Sequence, residues 1–258
     1  MRIVVKVGTS TLAHKTGNLN IRRVEELCKV LSDIKNAGHE VVLVSSGAIG
    51  MGLGKLAIKK KPEDIPSKQA AAAVGQCELM YVYDKLFSEY NHTVGQILLT
   101  GDDVKDETRH QNFKNTIYRL LELGAIPIVN ENDSVSTDEI EIGDNDTLGA
   151  IVAESVSADI VAILTDTNGL YTADPRKDKT AKLLSIIEEI TDDIFNLGAG
   201  SGTKLGTGGM KTKIGAAEIA VNAGIDVYIV NGERPSVLYD IIEGKKFIGT
   251  KFCAKKMI

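Results

Sequence analysis

Short apolar runs rich in β-branched residues recur along the chain: IVVKV at 3–7, VVLVS at 41–45, VGQILLT at 94–100, IPIVN at 126–130, IVAILT at 160–165 and VYIVN at 227–231. The runs are largely continuous in apolar character rather than alternating, which predicts strands covered on both faces, as in a parallel sheet. Between the runs the period changes. Val24, Leu27, Cys28, Leu31 and Ile34 recur at helical spacing, and Gly38 stops the pattern. Ser67 opens an Ala-rich helix to about Ser88, and Phe113, Ile117, Leu120 and Leu121 mark another that ends at Gly124. Met210, Ile214, Ala217 and Val221 share one face of a further helix, closed by Gly224. Strand and helix in alternation predict an α/β fold: a three-layer αβα sandwich around a central, mostly parallel sheet. His14 to Asn18, Leu56 to Pro66 and Ser134 to Glu141 read as loops. No composition break divides the chain, so residues 1–258 read as one domain.

Composition narrows the function. With 43% hydrophobic residues among 258 the chain can bury a full core, which argues against disorder. A net charge of -5 argues against a nucleic-acid coat. Cys28, Cys77 and Cys253 are widely separated, with no C-x-x-C spacing, and read as reduced thiols. The apolar start is interrupted by Lys6 and is too short for a signal or membrane segment, so the expectation is a cytoplasmic protein.

In open α/β sheets, ligands collect beyond the carboxyl ends of the strands. There the sequence places Gly8-Thr9-Ser10, Ser45-Ser46-Gly47-Ala48, Asn130-Glu131-Asn132-Asp133 and Thr165-Asp166-Thr167-Asn168-Gly169. Lys6 stands among β-branched residues two positions before Gly8. It is either an edge-strand lysine reaching solvent or a cation aimed at a ligand. The stretch LGTGGMKTK at 205–213 fits neither the Walker pattern nor G-x-G-x-x-G, yet it is glycine-rich, basic and opens a helix. It reads either as a solvated loop or as a phosphate cradle at a helix N-terminus. Gly143-Asp144-Asn145-Asp146 precedes another helix. With Glu131, Asp133, Asp138, Glu139 and Glu141 it forms an acidic neighbourhood that could hold a magnesium-nucleotide, orient lysines or bind an ammonium. No hydrolase or zinc motif is present, and the histidines are scattered. A carboxylate acceptor would need no general base, since it is ionised already at neutral pH.

Lys6-Val7-Gly8-Thr9-Ser10, Ser45 to Ile49, Lys68-Gln69 with Ala73 to Gln76, Asn130 to Asp133, Gly143 to Asp146, Leu164-Thr165-Asp166 through Asp174-Pro175-Arg176, and Gly206 to Lys213 follow one another in the chain. In this order they resemble the glutamate 5-kinases of the amino acid kinase family, from about Ile3 to Gly249. The resemblance implies ATP-dependent phosphorylation of the side-chain carboxylate of L-glutamate, opening proline biosynthesis, with Mg2+ accompanying the ATP. It implies Lys6 and Lys213 as the cations that neutralise the transferring phosphoryl group, and Asp146 as the acid that organises them. Ser46, Asp133 and Asn145 correspond to glutamate-binding positions. Lys6, Thr165, Asp166, Thr207, Gly208, Gly209, Met210, Lys211, Thr212 and Lys213 correspond to nucleotide-binding ones. No protein metal site is implied. The family also implies homo-oligomers, inhibition by proline and functional coupling to glutamyl phosphate reductase, with no nucleic-acid or membrane partner. Many members carry a C-terminal PUA domain; the expectation here is a form without it. Acetylglutamate kinase, aspartokinase and uridylate kinase are the nearest rival activities, and a non-catalytic sensor on the same fold is the rival class.

Overall fold

The computed structural model describes residues 1–14, 18–60, 62–135, 145–198 and 209–255. Six of its strands coincide with the six apolar runs: β1 (Arg2–Val7), β2 (Glu40–Ser45), β3 (Val94–Leu99), β4 (Ile126–Glu131), β5 (Ile160–Thr165) and β7 (Asp226–Asn231). Two shorter ones, β6 (Ile186–Ile187) and β8 (Gly249–Phe252), join them at one edge. The order is β3-β4-β2-β1-β5-β7-β8-β6, and every pairing is parallel except β7 with β8. β1 is therefore interior, paired with β2 on one side and β5 on the other. That placement excludes the reading of Lys6 as an edge-strand lysine.

Helices cover both faces. On one lie α2 (Ile21–Asn36), α4 (Ile65–Ser88) and α10 (Val237–Ile242), whose Leu27, Leu31, Tyr83, Phe87 and Leu238 pack with Ile3, Val5 and Val7 of β1. On the other lie α6 (Glu107–Glu122), α7 (Asn145–Ser155) and α9 (Met210–Asn222), whose Ile117, Leu148, Val152 and Ile214 pack with Val4. Successive strand side chains point to opposite faces. Lys6 consequently shares the face of Val4 and lies under α7 and α9.

The sheet-to-helix boundaries are set locally. Gly38, Gly124 and Gly224 take φ of +92°, +75° and +79°, the left-handed conformation that ends α2, α6 and α9. The start of α4 differs from the sequence expectation. Asp64, not Ser67, is the cap, and its side chain accepts the Ser67 amide at 2.8 Å. The short α3 (Ala48–Lys55) lies against α4 at backbone distance. A Cβ on Gly52 would stand 1.8 Å from the Ala71 carbonyl oxygen, and one on Gly75 1.7 Å from that of Ala48. Glycine at both positions is what lets these helices touch.

Candidate active site

The parallel strands bring the ends of β1, β2, β4, β5 and β7 to one sheet margin, and two residue groups and a cavity assemble there. The first group is ionic. Asp146, the second residue of α7, is 1% exposed, and its Oδ1 lies 2.6 Å from Lys6 Nζ while its Oδ2 lies 3.0 Å from Lys213 Nζ. Lys6 and Lys213 are 6% and 7% exposed. The Thr212 hydroxyl lies 3.3 Å from the same Oδ2 and donates to the Gly209 carbonyl at 2.8 Å, tying the first turn of α9 to the carboxylate. Glycines keep the surroundings of Lys6 open. A Cβ on Gly8 would approach Lys6 Nζ to 3.6 Å, and one on Gly149 would meet the Lys6 stem at 3.3 Å. Burying three charges costs more than well-packed apolar residues would, so this cluster is poorly explained by stability and well explained by a need for fixed charge.

The second group is an amide network. Asn145 Nδ2 donates to Ser46 Oγ at 2.8 Å and to Asn130 Oδ1 at 3.0 Å, and Asn130 Nδ2 donates to Gln76 Oε1 at 2.8 Å. Ser46 sits between β2 and α3, where Gly47 turns the chain with φ +108°. Beneath it the Ser45 hydroxyl is 2.7 Å from the Tyr83 hydroxyl. Burial, offset in part by that hydrogen bond, pushes the Tyr83 phenol far above its ordinary range, so it stays neutral. Asp133 is half-buried in the turn that follows β4.

Beside these groups opens a cavity of about 280 Å³, lined among others by Asp166, Asn168, Tyr171, Arg176, Met210 and Asn231. Thr165, at the end of β5, donates to Asp166 at 3.2 Å. Met210 stands one helical turn before Lys213, so the cavity adjoins the lysine pair. At its rim, Arg176 donates to Asp174 at 2.9 Å and holds that carboxyl below the usual carboxylate range. Sequence reasoning placed Asn168 and Gly169 at the ligand margin but missed Asn231 and the Leu170 to Ala173 wall as lining. Asn231-Gly232-Glu233 follows an apolar run just as the other polar strand ends do, which was the available signal.

Of the residues singled out from sequence, Lys6, Asp146, Lys213 and Thr212 meet directly, and Ser46 meets Asn145. Asp166 and Met210 line the cavity, Thr165 is buried and reaches it only through its hydrogen bond to Asp166, and Gly209 caps α9. Lys211 points elsewhere, with its ammonium 5.5 Å from the centre of the Phe195 ring. Thr207 and Gly208 lie outside the described residues, as do Gly143, Asp144, Asp138, Glu139 and Glu141.

The model of the amino acid kinase family matches residues 1–231. The chain belongs to the amino acid kinase family. Among relatives of this amino acid kinase, glutamate 5-kinase of Clostridium perfringens is 54% identical over 259 residues, spanning 99% of this chain and 96% of the relative. Glutamate 5-kinase of Listeria monocytogenes is 49% identical, spanning 99% and 94%. That of Caldanaerobacter subterraneus is 51% identical, and there the match covers 68% of the relative. Among solved structures, a T. acidophilum isopentenyl phosphate kinase product complex superposes with a TM-score of 0.66 at 19% identity, covering 98% of this chain and all of that one. At that identity the likeness speaks for the shared fold.

Proposed function

We propose that this chain transfers the terminal phosphoryl group of ATP to the side-chain carboxylate of L-glutamate, giving L-glutamyl 5-phosphate, the first step of proline biosynthesis. The observation that carries the reading is one buried carboxylate holding two buried ammonium groups, from β1 and α9, at 2.6 and 3.0 Å. The relatives named above supply the acceptor.

Lys6 and Lys213 flank the transferring group and offset its charge, and Asp146 presets both so that no reorganisation is needed as the charge spreads. The glutamate carboxylate, ordinarily ionised above about pH 4.3, attacks without a general base. Ser46, Asn145 and Asp133 bind glutamate, Asp133 as counter-charge to its ammonium. The nucleotide takes the cavity, held by Thr165, Asp166 and the stretch Thr207 to Lys213, whose last four residues open α9. The cationic donor set fits a phosphate chain, and Gly8 sets no side chain against Lys6 Nζ. Magnesium brought with ATP neutralises phosphate oxygens when bound; Asp146 is not assigned to it, because both its oxygens face lysines. We further assign the elements from β1 to β8 to one kinase domain, acting as a cytoplasmic homo-oligomer whose labile acyl phosphate passes to glutamyl phosphate reductase. Among the described residues no helix is long and apolar enough to cross a membrane.

The test is ADP release with L-glutamate, L-aspartate, N-acetylglutamate and UMP offered separately, and capture of the acyl phosphate as a hydroxamate. Turnover with glutamate and a hydroxamate product are expected. Turnover confined to another acceptor would reassign the substrate, and none with any would favour a sensor.

A further inference from the structure

We infer that Gln76 is a positioning residue: through Asn130 it holds the Asn145 amide with its oxygen reserved for an N–H donor on the substrate, the α-ammonium. The inference rests on the amino-acid kinase reading above and adds a residue to it.

The polarity of the network follows from one backbone group. The Glu131 amide donates to Asn130 Oδ1 at 2.9 Å, and a backbone N–H can only donate. Asn130 therefore presents oxygen on that side and Nδ2 on the other. Gln76 must offer Oε1 to that Nδ2, at 2.8 Å. Asn130 Oδ1 in turn takes the Asn145 Nδ2 at 3.0 Å, and the second hydrogen of that nitrogen goes to Ser46 Oγ at 2.8 Å. Both hydrogens of Nδ2 are then used. Asn145 Oδ1 remains, buried and without a hydrogen-bond partner among the described residues. It is an acceptor by necessity, one residue before the carboxylate that gathers the two lysines. A buried acceptor left unmade is costly, and a substrate ammonium satisfies it.

Gln76 is well placed to hold Asn130 in the orientation that the Glu131 amide sets. It is 9% exposed and follows Gly75, whose lack of a side chain lets α4 lie on the backbone of α3. The amide is thus delivered from a rigid helix pair. Its Nε2 also has no partner among the described residues, so its one described hydrogen bond is the one to Asn130.

Gln76→Met keeps length and approximate volume while deleting the acceptor. The expected result is a rise in glutamate KM of about tenfold, with ATP KM within about twofold of wild type. The preference for L-glutamate over glutarate, which lacks the amine, should fall by a similar factor in kcat/KM. Gln76→Glu, which keeps an oxygen opposite Asn130 Nδ2, should restore most of that preference. A Gln76→Met enzyme that loses glutamate and glutarate turnover equally, raises both KM values together, or only melts earlier would overturn the inference. If the wild type phosphorylates aspartate and not glutamate, the acceptor assignment fails, and the same comparison with L-aspartate and succinate still reads the role of Gln76.

Discussion

Lys6 and Lys213 each carry a charge into surroundings where a neutral side chain would be the stable choice, and each is held by an oxygen of Asp146. A fixed charge of this kind acts on the transition state more than on ground-state binding. Lys213→Ala or Lys6→Ala should therefore lose about 3 kcal/mol or more of transition-state stabilisation, mostly in kcat. Steady-state kinetics decides it: a large rise in glutamate KM with kcat intact contradicts the assignment. On the proposed assignment Asp133→Asn should behave in the opposite sense, raising glutamate KM more than ATP KM through loss of a counter-charge to the ammonium. Equal effects on both would remove Asp133 from the substrate site. Lys211 is an instructive contrast. It lies two residues from Lys213 in a basic stretch, yet packs over Phe195, because residues two apart on a helix do not share a face.

Elements hold these residues in place by contacts that are local and measurable. The tightest is the α3–α4 pair, where Gly75→Ala would press a methyl into the Ala48 carbonyl oxygen. That oxygen belongs to the backbone and has no rotamer to yield, so the variant should lose about 3 kcal/mol in denaturant unfolding. A cost below about 1 kcal/mol would show that the helices separate easily. At the end of β3, Thr100 and Asp103 form a capping box at the start of α5 (Gly101–Lys105). Burial alone would raise the Asp103 carboxyl, but hydrogen bonds from the Thr100 hydroxyl and amide and from Arg109 outweigh it and hold the group below its ordinary 3.8. A depressed carboxyl contributes stability above its unfolded-state value and loses it as pH falls through the folded one. Thr100→Ala should thus cost about 1 kcal/mol at neutral pH. The gap to wild type should narrow below pH 3.8, which denaturant titration at several pH values measures.

The whole molecule brings together residues far apart in the chain. Lys6 comes from the central strand, Asp146 and Lys213 from neighbouring helices on one face, and Asn130, Asn145 and Gln76 from β4, α7 and α4. Asp146→Asn removes the carboxylate that two buried ammonium groups share, and should destabilise the fold by about 3 kcal/mol besides abolishing turnover. Unchanged unfolding free energy would mean that the lysines relax to solvent on their own.

The chain alone determined the layers, because six largely continuous apolar runs and the helical periods between them can be buried only as a covered parallel sheet. It also determined which residues follow the strands at one sheet margin, since parallel strands all present the residues that follow them on one side. β8 and β6 escaped because they are four and two residues long, and pairing with neighbours rather than their own pattern makes them strands. Only the tertiary structure decided that Lys6 lies inside the sheet, that Asp146 faces both lysines, and that Asn130 passes the polarity of one backbone amide to Asn145. Those facts depend on register and on which face a side chain takes, and long-range packing sets both.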